Sequence, residues 1–235
     1  MEFIKSLIRP IYFWVFRMRG YPGVDLQEFK ILAIKNEYND VYTYDIEKPA
    51  DLHFHAGYYA HVVAPSGHIN NHDVRDMSFA NAPSESSIKI TMDLASNTRF
   101  KRKFRDAKVG DRVGFYAIKG DFTNDEIPQE KPCVYIAGGV GITAIRSLIV
   151  NRIQAPWQLI YAGKGYAYDE LWNKHQDHVV KVKRDSLFPA IERSIGIDKQ
   201  YFVCGTESFV TDVKAYLLNN GIEASQIKVE GFGGN

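Results

Sequence analysis

An apolar run that leads directly into glycines constrains the fold of this chain more than any other segment. Residues 133–137 have the composition of a buried strand, and Gly138, Gly139 and Gly141 follow, just before a helix-like stretch. Glycines let a backbone pass close to a phosphate, and a helix N-terminus offers N–H groups and positive partial charge. The segment predicts a strand–turn–helix unit whose turn binds an anion with help from the Thr143 hydroxyl. A tight turn without a ligand is the alternative.

The patterns on the two sides of Asn124–Pro132, a polar stretch with two prolines, differ. Residues 25–127 contain short alternating runs rich in β-formers, separated by turn residues, which predicts an antiparallel β-barrel. After the polar stretch, apolar strands alternate with helical patterns, which predicts an α/β domain with a parallel sheet. We therefore expect two domains, residues 25–127 and 128–235, preceded by a separate segment of residues 1–24.

Charge and cysteine content exclude several classes of protein. The 29 basic and 28 acidic residues leave a net charge of +1, which argues against a nucleic-acid partner. Cys133 and Cys204 are too few for an iron–sulfur cluster or a zinc site held by four cysteines, and they fit a reducing, cytoplasmic compartment. Five of the seven histidines lie between His53 and His72, without acidic or cysteine partners at ligand spacing, so we expect no metal.

The first 24 residues combine aromatic and basic side chains. The apolar run from Ile11 to Phe16 is too short to span a bilayer, and basic residues flank it on both sides. Such a segment could lie on an anionic membrane surface, which would make the chain peripheral at a membrane. A helix that packs its aromatic side on the folded body is the alternative.

Several motifs occur in an order that resembles the ferredoxin–NADP reductase superfamily over residues 27–235. Residues 75–78, Arg-Asp-Met-Ser, resemble its R-x-Y-S motif, and Asn97-Thr98 resembles its second phosphate loop. The resemblance implies that Arg75, Asn97 and Thr98 contact the FAD diphosphate and that Ser78 hydrogen-bonds near flavin N5. Met77 stands where the family usually has a tyrosine stacked on the isoalloxazine.

The second half of the chain carries three more motifs of this superfamily. The glycine turn resembles G-G-x-G-x-T-P, residues 204–206 resemble C-G-P, and residues 227–232 resemble I-x-x-E-x-F. The resemblance implies that Gly138, Gly139, Gly141, Thr143, Gly205 and Thr206 bind the nicotinamide coenzyme. It also implies that Phe232 lies close to the flavin, and that Ser78, Cys204 and Glu230 form the hydride-transfer neighbourhood.

The resemblance predicts an FAD-dependent NAD(P)H oxidoreductase that passes electrons to a separate acceptor, either a small molecule or a ferredoxin- or flavodoxin-like protein. Two alternatives stay open: an NAD(P)H:flavin reductase with loosely bound flavin, and an electron-transfer subunit of a membrane-associated complex. Lys164, after the second strand of the α/β half, favours NADPH over NADH.

A basic segment predicts how an acceptor would dock. Residues 97–112 carry seven basic and two acidic side chains, a net charge of +5. We expect an acidic redox protein to dock near Arg99–Arg105. A solvated helix face is the alternative.

Overall fold

The computed structural model describes residues 25–233 and contains two sheets. The first sheet has six antiparallel strands in the order β4-β3-β6-β1-β2-β5. It curls towards closure, because the backbone N–H of Ala80, just after β4, donates to the Lys89 carbonyl on β5 at 2.8 Å. The strands are β1 (Gln27–Tyr38), β2 (Val41–Glu47), β3 (Tyr59–Val63), β4 (Val74–Ser78), β5 (Ser87–Asp93) and β6 (Arg112–Lys119).

Alternating side chains build the core of this sheet. On β5, Ile88, Ile90 and Met92 face inward and are buried. The helix α1 (Arg99–Arg105) closes the core by inserting Phe100 and Phe104, while its basic residues stay outside. The amphipathic spacing of α1 thus sets both its packing and its charged outer face.

The second sheet has five parallel strands in the order β11-β10-β7-β8-β9, with helices beside them. Its central strands are apolar throughout because both faces are covered. On β7, for example, Tyr135 belongs to one hydrophobic cluster and Ile136 to the other. The elements are β7 (Cys133–Gly138), α2 (Ile142–Asn151), β8 (Trp157–Ala162), α3 (Asp169–Lys174), β9 (Val179–Val182), α4 (Leu187–Glu192), β10 (Gln200–Thr206), α5 (Glu207–Asn219) and β11 (Ile227–Phe232).

The predicted fold class is confirmed: an antiparallel, barrel-like sheet precedes a parallel α/β sheet. Three elements were not predicted as such, namely β4, β6 and α4. The helix α3 begins at Asp169 and not at Tyr168, because Tyr168 has left-handed backbone angles. The division at 127/128 stays a prediction, and the membrane prediction for residues 1–24 lies outside the described residues. Within residues 25–233, no helix is long and apolar enough to cross a membrane.

The two sheets share one hydrophobic cluster and several polar bonds. Phe122, from the loop after β6, packs edge-on against Phe202 of β10. The Arg146 guanidinium of α2 donates two hydrogen bonds, of 2.7 and 2.8 Å, to the carboxylate of Glu85. The Ser147 hydroxyl donates to the Asn81 carbonyl at 2.7 Å. These contacts hold the end of β4 against the parallel sheet.

Candidate functional site

The carboxyl edge of the parallel sheet gathers most of the residues predicted for the coenzyme. The strand β7 ends at Gly138, and the glycine turn leads directly into α2. On the neighbouring strands, Cys204 pairs with Ala137 on one side and with Glu230 on the other. The same register places Thr206 beside Phe232. Ligands of open α/β sheets bind at this edge, so the position matches the predicted role.

The glycines of the turn serve different purposes. A Cβ on Gly141 would overlap the backbone carbonyl of Cys204, so only glycine lets the turn pass this close to β10. Gly139 has a φ of +53°, and a Cβ there would meet nothing within 4 Å. The turn therefore packs inward at Gly141 and borders open space at Gly139. Gly138 and Gly205 instead lie under the ring of Phe209.

The two threonines predicted to bind the nicotinamide coenzyme have hydrogen bonds within the protein. The Thr143 hydroxyl donates to the Val140 carbonyl at 3.0 Å, and the residue is buried. The Thr206 hydroxyl caps α5 by accepting from the Phe209 backbone N–H at 3.3 Å. The Ile142 backbone N–H, the first of α2, donates to the Gly139 and Val140 carbonyls, so the donors left for an anion are the N–H groups of the glycine turn itself.

On the barrel side, the predicted flavin residues lie along β4 and at the start of α1. Ser78 is only 5% exposed, and among residues 25–233 its hydroxyl has no hydrogen-bond partner. One nitrogen of the Arg75 guanidinium donates to the Asn71 and Val74 carbonyls at 2.7 and 2.6 Å. The group lies 5.9 Å from the ring centre of Phe100, beside the Thr98 cap of α1. Arg75 thus lies beside the first turn of α1, with guanidinium N–H groups left over for a ligand.

Glu230 connects the two sides electrostatically. Burial, followed by the nearby carboxylates of Asp121, Asp76 and Glu207 in that order, raises the pKa of its carboxyl to about 7. Asp76 is on β4, two residues before Ser78, so β4 and the end of β11 lie near each other. A carboxyl with this pKa can hold or release a proton at neutral pH.

The surroundings of Cys204 are unlike those of a reactive thiol. Its side chain is fully buried, and burial, followed by the charge of Glu230, raises the pKa of the thiol well above its ordinary value. It is therefore a protonated, neutral group at physiological pH. Any role near the nicotinamide would come from its small size and its position beside Glu230.

The remaining predicted residues are more scattered. Phe232 is half-buried against the hydrophobic cluster that contains Cys204, whereas Asn97 is exposed before α1. Lys164 is exposed in the loop after β8. On α1, Arg99 bonds to the buried carboxylate of Asp73 at 2.9 Å, and Lys103 lies 3.8 Å from it.

Two of the histidines form hydrogen bonds with carboxylates. His55 bonds to Asp125, and His61 bonds to Asp76. Over the described part of the chain, no three His, Cys, Asp or Glu side chains are grouped to hold a metal ion.

Several residues near the site were not predicted from the sequence. They include the carboxylates around Glu230, the ring of Phe209 and the Arg146–Glu85 pair. One signal was available: Arg146 interrupts an otherwise apolar helix, and a charge in such a place needs a buried partner. The others depend on contacts between distant segments, which no local pattern encodes.

No family model matches the chain. Flavohemoprotein A of Dictyostelium discoideum is 22% identical over 244 residues, covering 89% of this chain and 61% of that protein. The carnitine monooxygenase reductase subunit of Escherichia coli is 26% identical over 187 residues, covering 74% of this chain and 58% of that protein. The chain thus spans about three-fifths of the length of these relatives.

A solved structure covers nearly the same length. A ferredoxin NADP+ reductase from Neisseria gonorrhoeae, solved with bound FAD and NADP, superposes with a TM-score of 0.72 at 17% identity. The match covers 88% of this chain and 98% of that one. The chain thus has the two-sheet fold of this ferredoxin NADP+ reductase.

Proposed function

We propose that this chain is an FAD-dependent NAD(P)H oxidoreductase that supplies electrons to a separate acceptor. The observation that carries the proposal is the packing of the two predicted sites on each other: Ala80, two residues beyond Ser78, belongs to the hydrophobic cluster that contains Cys204 and packs against Phe232. The two groups that exchange a hydride must meet in such a cleft.

The residues on the barrel side fit a flavin dinucleotide. Arg75 and the loop of Asn97 and Thr98 would hold the diphosphate, while Met77 and Phe232 would lie against the ring system. When bound, FAD supplies the hydride acceptor and the means to pass electrons on singly. The unpartnered hydroxyl of Ser78 is suited to hydrogen-bond the ring edge at N5.

The residues on the other side fit a nicotinamide coenzyme. The open space at Gly139 leaves room for the pyrophosphate, with Gly138, Gly141 and the start of α2 around it. Gly205 and Thr206 would border the nicotinamide half, where the buried, neutral Cys204 helps to exclude water. Glu230 would hold or release a proton beside the reacting rings.

Three exposed cations support NADPH as the preferred coenzyme. Lys164 follows β8, and Lys183 and Arg184 follow β9, so all three lie at the carboxyl edge of the sheet. A 2′-phosphate carries charge that such cations would neutralise. Substituting Lys164 and Lys183 by alanine should lower kcat/KM for NADPH at least tenfold more than for NADH, the cost of about 1.4 kcal/mol of phosphate binding.

The acceptor we propose is an acidic redox protein that docks near Arg99–Arg105. Although Arg99 and Lys103 interact with Asp73, Arg102 bonds only to a backbone carbonyl among residues 25–233 and so keeps a charge that no carboxylate there compensates. A cytoplasmic setting is supported by two buried, unpaired cysteines. We also propose that residues 1–24 contact the surface of a membrane.

A second candidate is a flavin reductase that uses flavin as a substrate, favoured by Met77 in the stacking position. Purification separates the two. A yellow protein with one FAD per chain supports the oxidoreductase, and a colourless protein that reduces added flavin supports the alternative. A protein that is colourless and also fails to reduce added flavin contradicts both.

Ser78→Ala tests the role given to the serine. We expect flavin reduction by coenzyme to slow at least tenfold in stopped flow, a loss of about 1.4 kcal/mol, while the Kd for FAD changes less. Ser87→Ala, on the neighbouring strand β5, is the matched control. Equal hydride-transfer rates in Ser78→Ala and the unsubstituted protein would remove Ser78 from the site.

A further inference from the structure

The barrel holds one loop of the nucleotide domain through a buried carboxylate. The loop, residues 163–168, connects β8 to α3. Glu37, the next-to-last residue of β1, has a side chain that is only 3% exposed. Its carboxylate accepts from the Tyr168 backbone N–H at 3.0 Å and from the Thr43 hydroxyl at 2.8 Å. A buried carboxylate is costly unless donors satisfy it, so these bonds fix its position.

Two threonines close this contact into a ring. The Thr43 and Thr91 hydroxyls lie 2.6 Å apart, and Thr91 also hydrogen-bonds the Tyr168 hydroxyl. Tyr168 is therefore held at its backbone and at the tip of its side chain by β1, β2 and β5. We call Glu37, Thr43, Thr91 and Tyr168 the interdomain latch. Because three of its members come from the barrel, the latch exists only while the two domains are docked.

The backbone of Tyr168 indicates how firmly the latch holds. Its φ of +62° is in the left-handed region, which a bulky aromatic residue adopts only when its surroundings require it. The Arg146 guanidinium covers the ring at 5.1 Å from its centre. The hydrogen bonds at the Tyr168 backbone N–H and at its hydroxyl account for the strained backbone.

A second contact lies three residues earlier in the same loop. The ring of Tyr38, the last residue of β1, packs against Gly165, where an added Cβ would overlap it. Tyr38 also packs against the hydrophobic cluster that contains Tyr161, the next-to-last residue of β8. Barrel residues thus hold the loop at Gly165 and at Tyr168, on the C-terminal side of the exposed Lys164.

We propose that Glu37 and Tyr38 are positioning residues for the nicotinamide coenzyme, acting through the loop of residues 163–168. This inference rests on the proposed function, in which Lys164 meets the coenzyme. Without the latch, the loop would populate other conformations, and coenzyme affinity would fall by the fraction of time the loop is out of place. The chemical step would change little, because Ser78 and Glu230 are on other strands.

The test compares Glu37→Ala with Glu37→Gln, which keeps one acceptor for the Tyr168 N–H. The matched control is Glu170→Ala, which removes a carboxylate that is 83% exposed and bonds Lys35 at the same interface. We expect Glu37→Ala to raise the Kd for oxidised NADP+ about tenfold, the effect of losing a buried hydrogen bond to a charged group. Glu37→Gln should recover part of the affinity, and kcat should stay within about twofold of the unsubstituted value.

Hydrogen exchange gives a readout that does not depend on activity. Amides of residues 163–168 should exchange at least tenfold faster in Glu37→Ala than in Glu170→Ala, while those of β10 keep their rates. Tyr168→Phe, which keeps the ring and loses only the bond to Thr91, tests the latch if Glu37→Ala does not fold.

The outcomes separate the inference from the proposed function. Unchanged exchange in the loop, or unchanged Kd alongside faster exchange, would overturn the positioning role. Failure of the unsubstituted protein to bind either coenzyme would refute the proposed function and the coenzyme role together, and the exchange rates would still report on the latch itself.

Discussion

Glu230 is the residue whose surroundings have the clearest chemical consequence. Its carboxyl is mostly buried at the end of β11, with Asp121, Asp76 and Glu207 close enough to oppose its ionisation. Its pKa in the folded protein, about 7, lies above the ordinary value of 4.5. The folded state therefore loses stability relative to the unfolded chain as pH rises through this interval.

Glu230→Gln should remove this pH-dependent loss because glutamine does not ionise. We expect the variant to have a Tm about 1–3 °C above the unsubstituted protein at pH 8, after allowance for solvent screening, and nearly the same Tm at pH 4. Thermal unfolding followed by circular dichroism measures both. Glu126→Gln, at an exposed carboxylate, is the control. A difference in Tm that does not change with pH would contradict the placement of Glu230.

Alanine substitutions separate the role of Gly141 in the glycine turn from that of Gly139. Gly141→Ala places a methyl group against the Cys204 carbonyl, so we expect it to lower the free energy of unfolding by about 3 kcal/mol. Gly139→Ala meets open space and should cost only about 1–2 kcal/mol for its left-handed backbone, while weakening coenzyme binding. Denaturant unfolding and coenzyme titration distinguish the two variants. Equal stability losses would show that the close approach to β10 is not tight.

Among the elements, α2 links the glycine turn to the barrel. Its Arg146 bonds the Glu85 carboxylate and the Ala80 carbonyl, and the latter lies two residues beyond Ser78. Burial raises the pKa of Glu85, but the Arg146 guanidinium, with smaller contributions from the Ala82 backbone N–H and Lys89, more than offsets this, and the pKa lies below its ordinary value. The helix that begins at the carboxyl edge of the parallel sheet thus also fixes the segment that follows β4.

Arg146→Met should destabilise the protein by about 3 kcal/mol, because it leaves the partly buried Glu85 without its partner. The loss should shrink in acid, since a carboxyl with a lowered pKa contributes stability that disappears as pH falls through that pKa. The double variant Arg146→Met with Glu85→Gln should recover part of the loss. A double variant as unstable as the sum of its parts would indicate that the pair is not coupled.

Sequence patterns predicted the elements whose periodicity is regular. The apolar strands β7, β8 and β10 and the helix α1 lie where their composition predicts them. The strand β4 was not predicted as a strand because Arg75 and Asp76 give it a polar pattern, and α4 contains Pro189. The interdomain latch could not be predicted from the sequence, because Glu37 and Tyr168 are 131 positions apart and only the docking of two domains brings them together.

At the scale of the whole molecule, a balanced net charge of +1 conceals opposite local fields. The carboxylates around Glu230 form an acidic group at the cleft, while α1 presents basic side chains on the outside of the barrel. Fields of this kind guide encounter with charged partners and weaken as salt is added. The proposed acidic acceptor would meet the basic face.

Reversing charge on this face should slow electron transfer without affecting coenzyme oxidation. We expect Lys101→Glu with Arg102→Glu to lower the rate to an acidic ferredoxin at least tenfold at low ionic strength and to flatten its salt dependence. Reduction of a small neutral dye by NADPH serves as the internal control. The pair Arg193→Glu with Lys214→Glu, on the other domain and away from the proposed coenzyme site, is the matched variant. An equal loss with the dye would place the effect at the active site.

The central claim is that this chain binds FAD and reduces it with a nicotinamide coenzyme. The most direct measurement is an anaerobic titration of the FAD-loaded protein with NADPH and, separately, with NADH, following the flavin absorbance near 450 nm, the usual band of an oxidised flavin. The proposed function predicts bleaching with about one equivalent of coenzyme per flavin, reached faster with NADPH. A flavin that stays oxidised in excess of both coenzymes, or a chain that retains no flavin and reduces none, would contradict it.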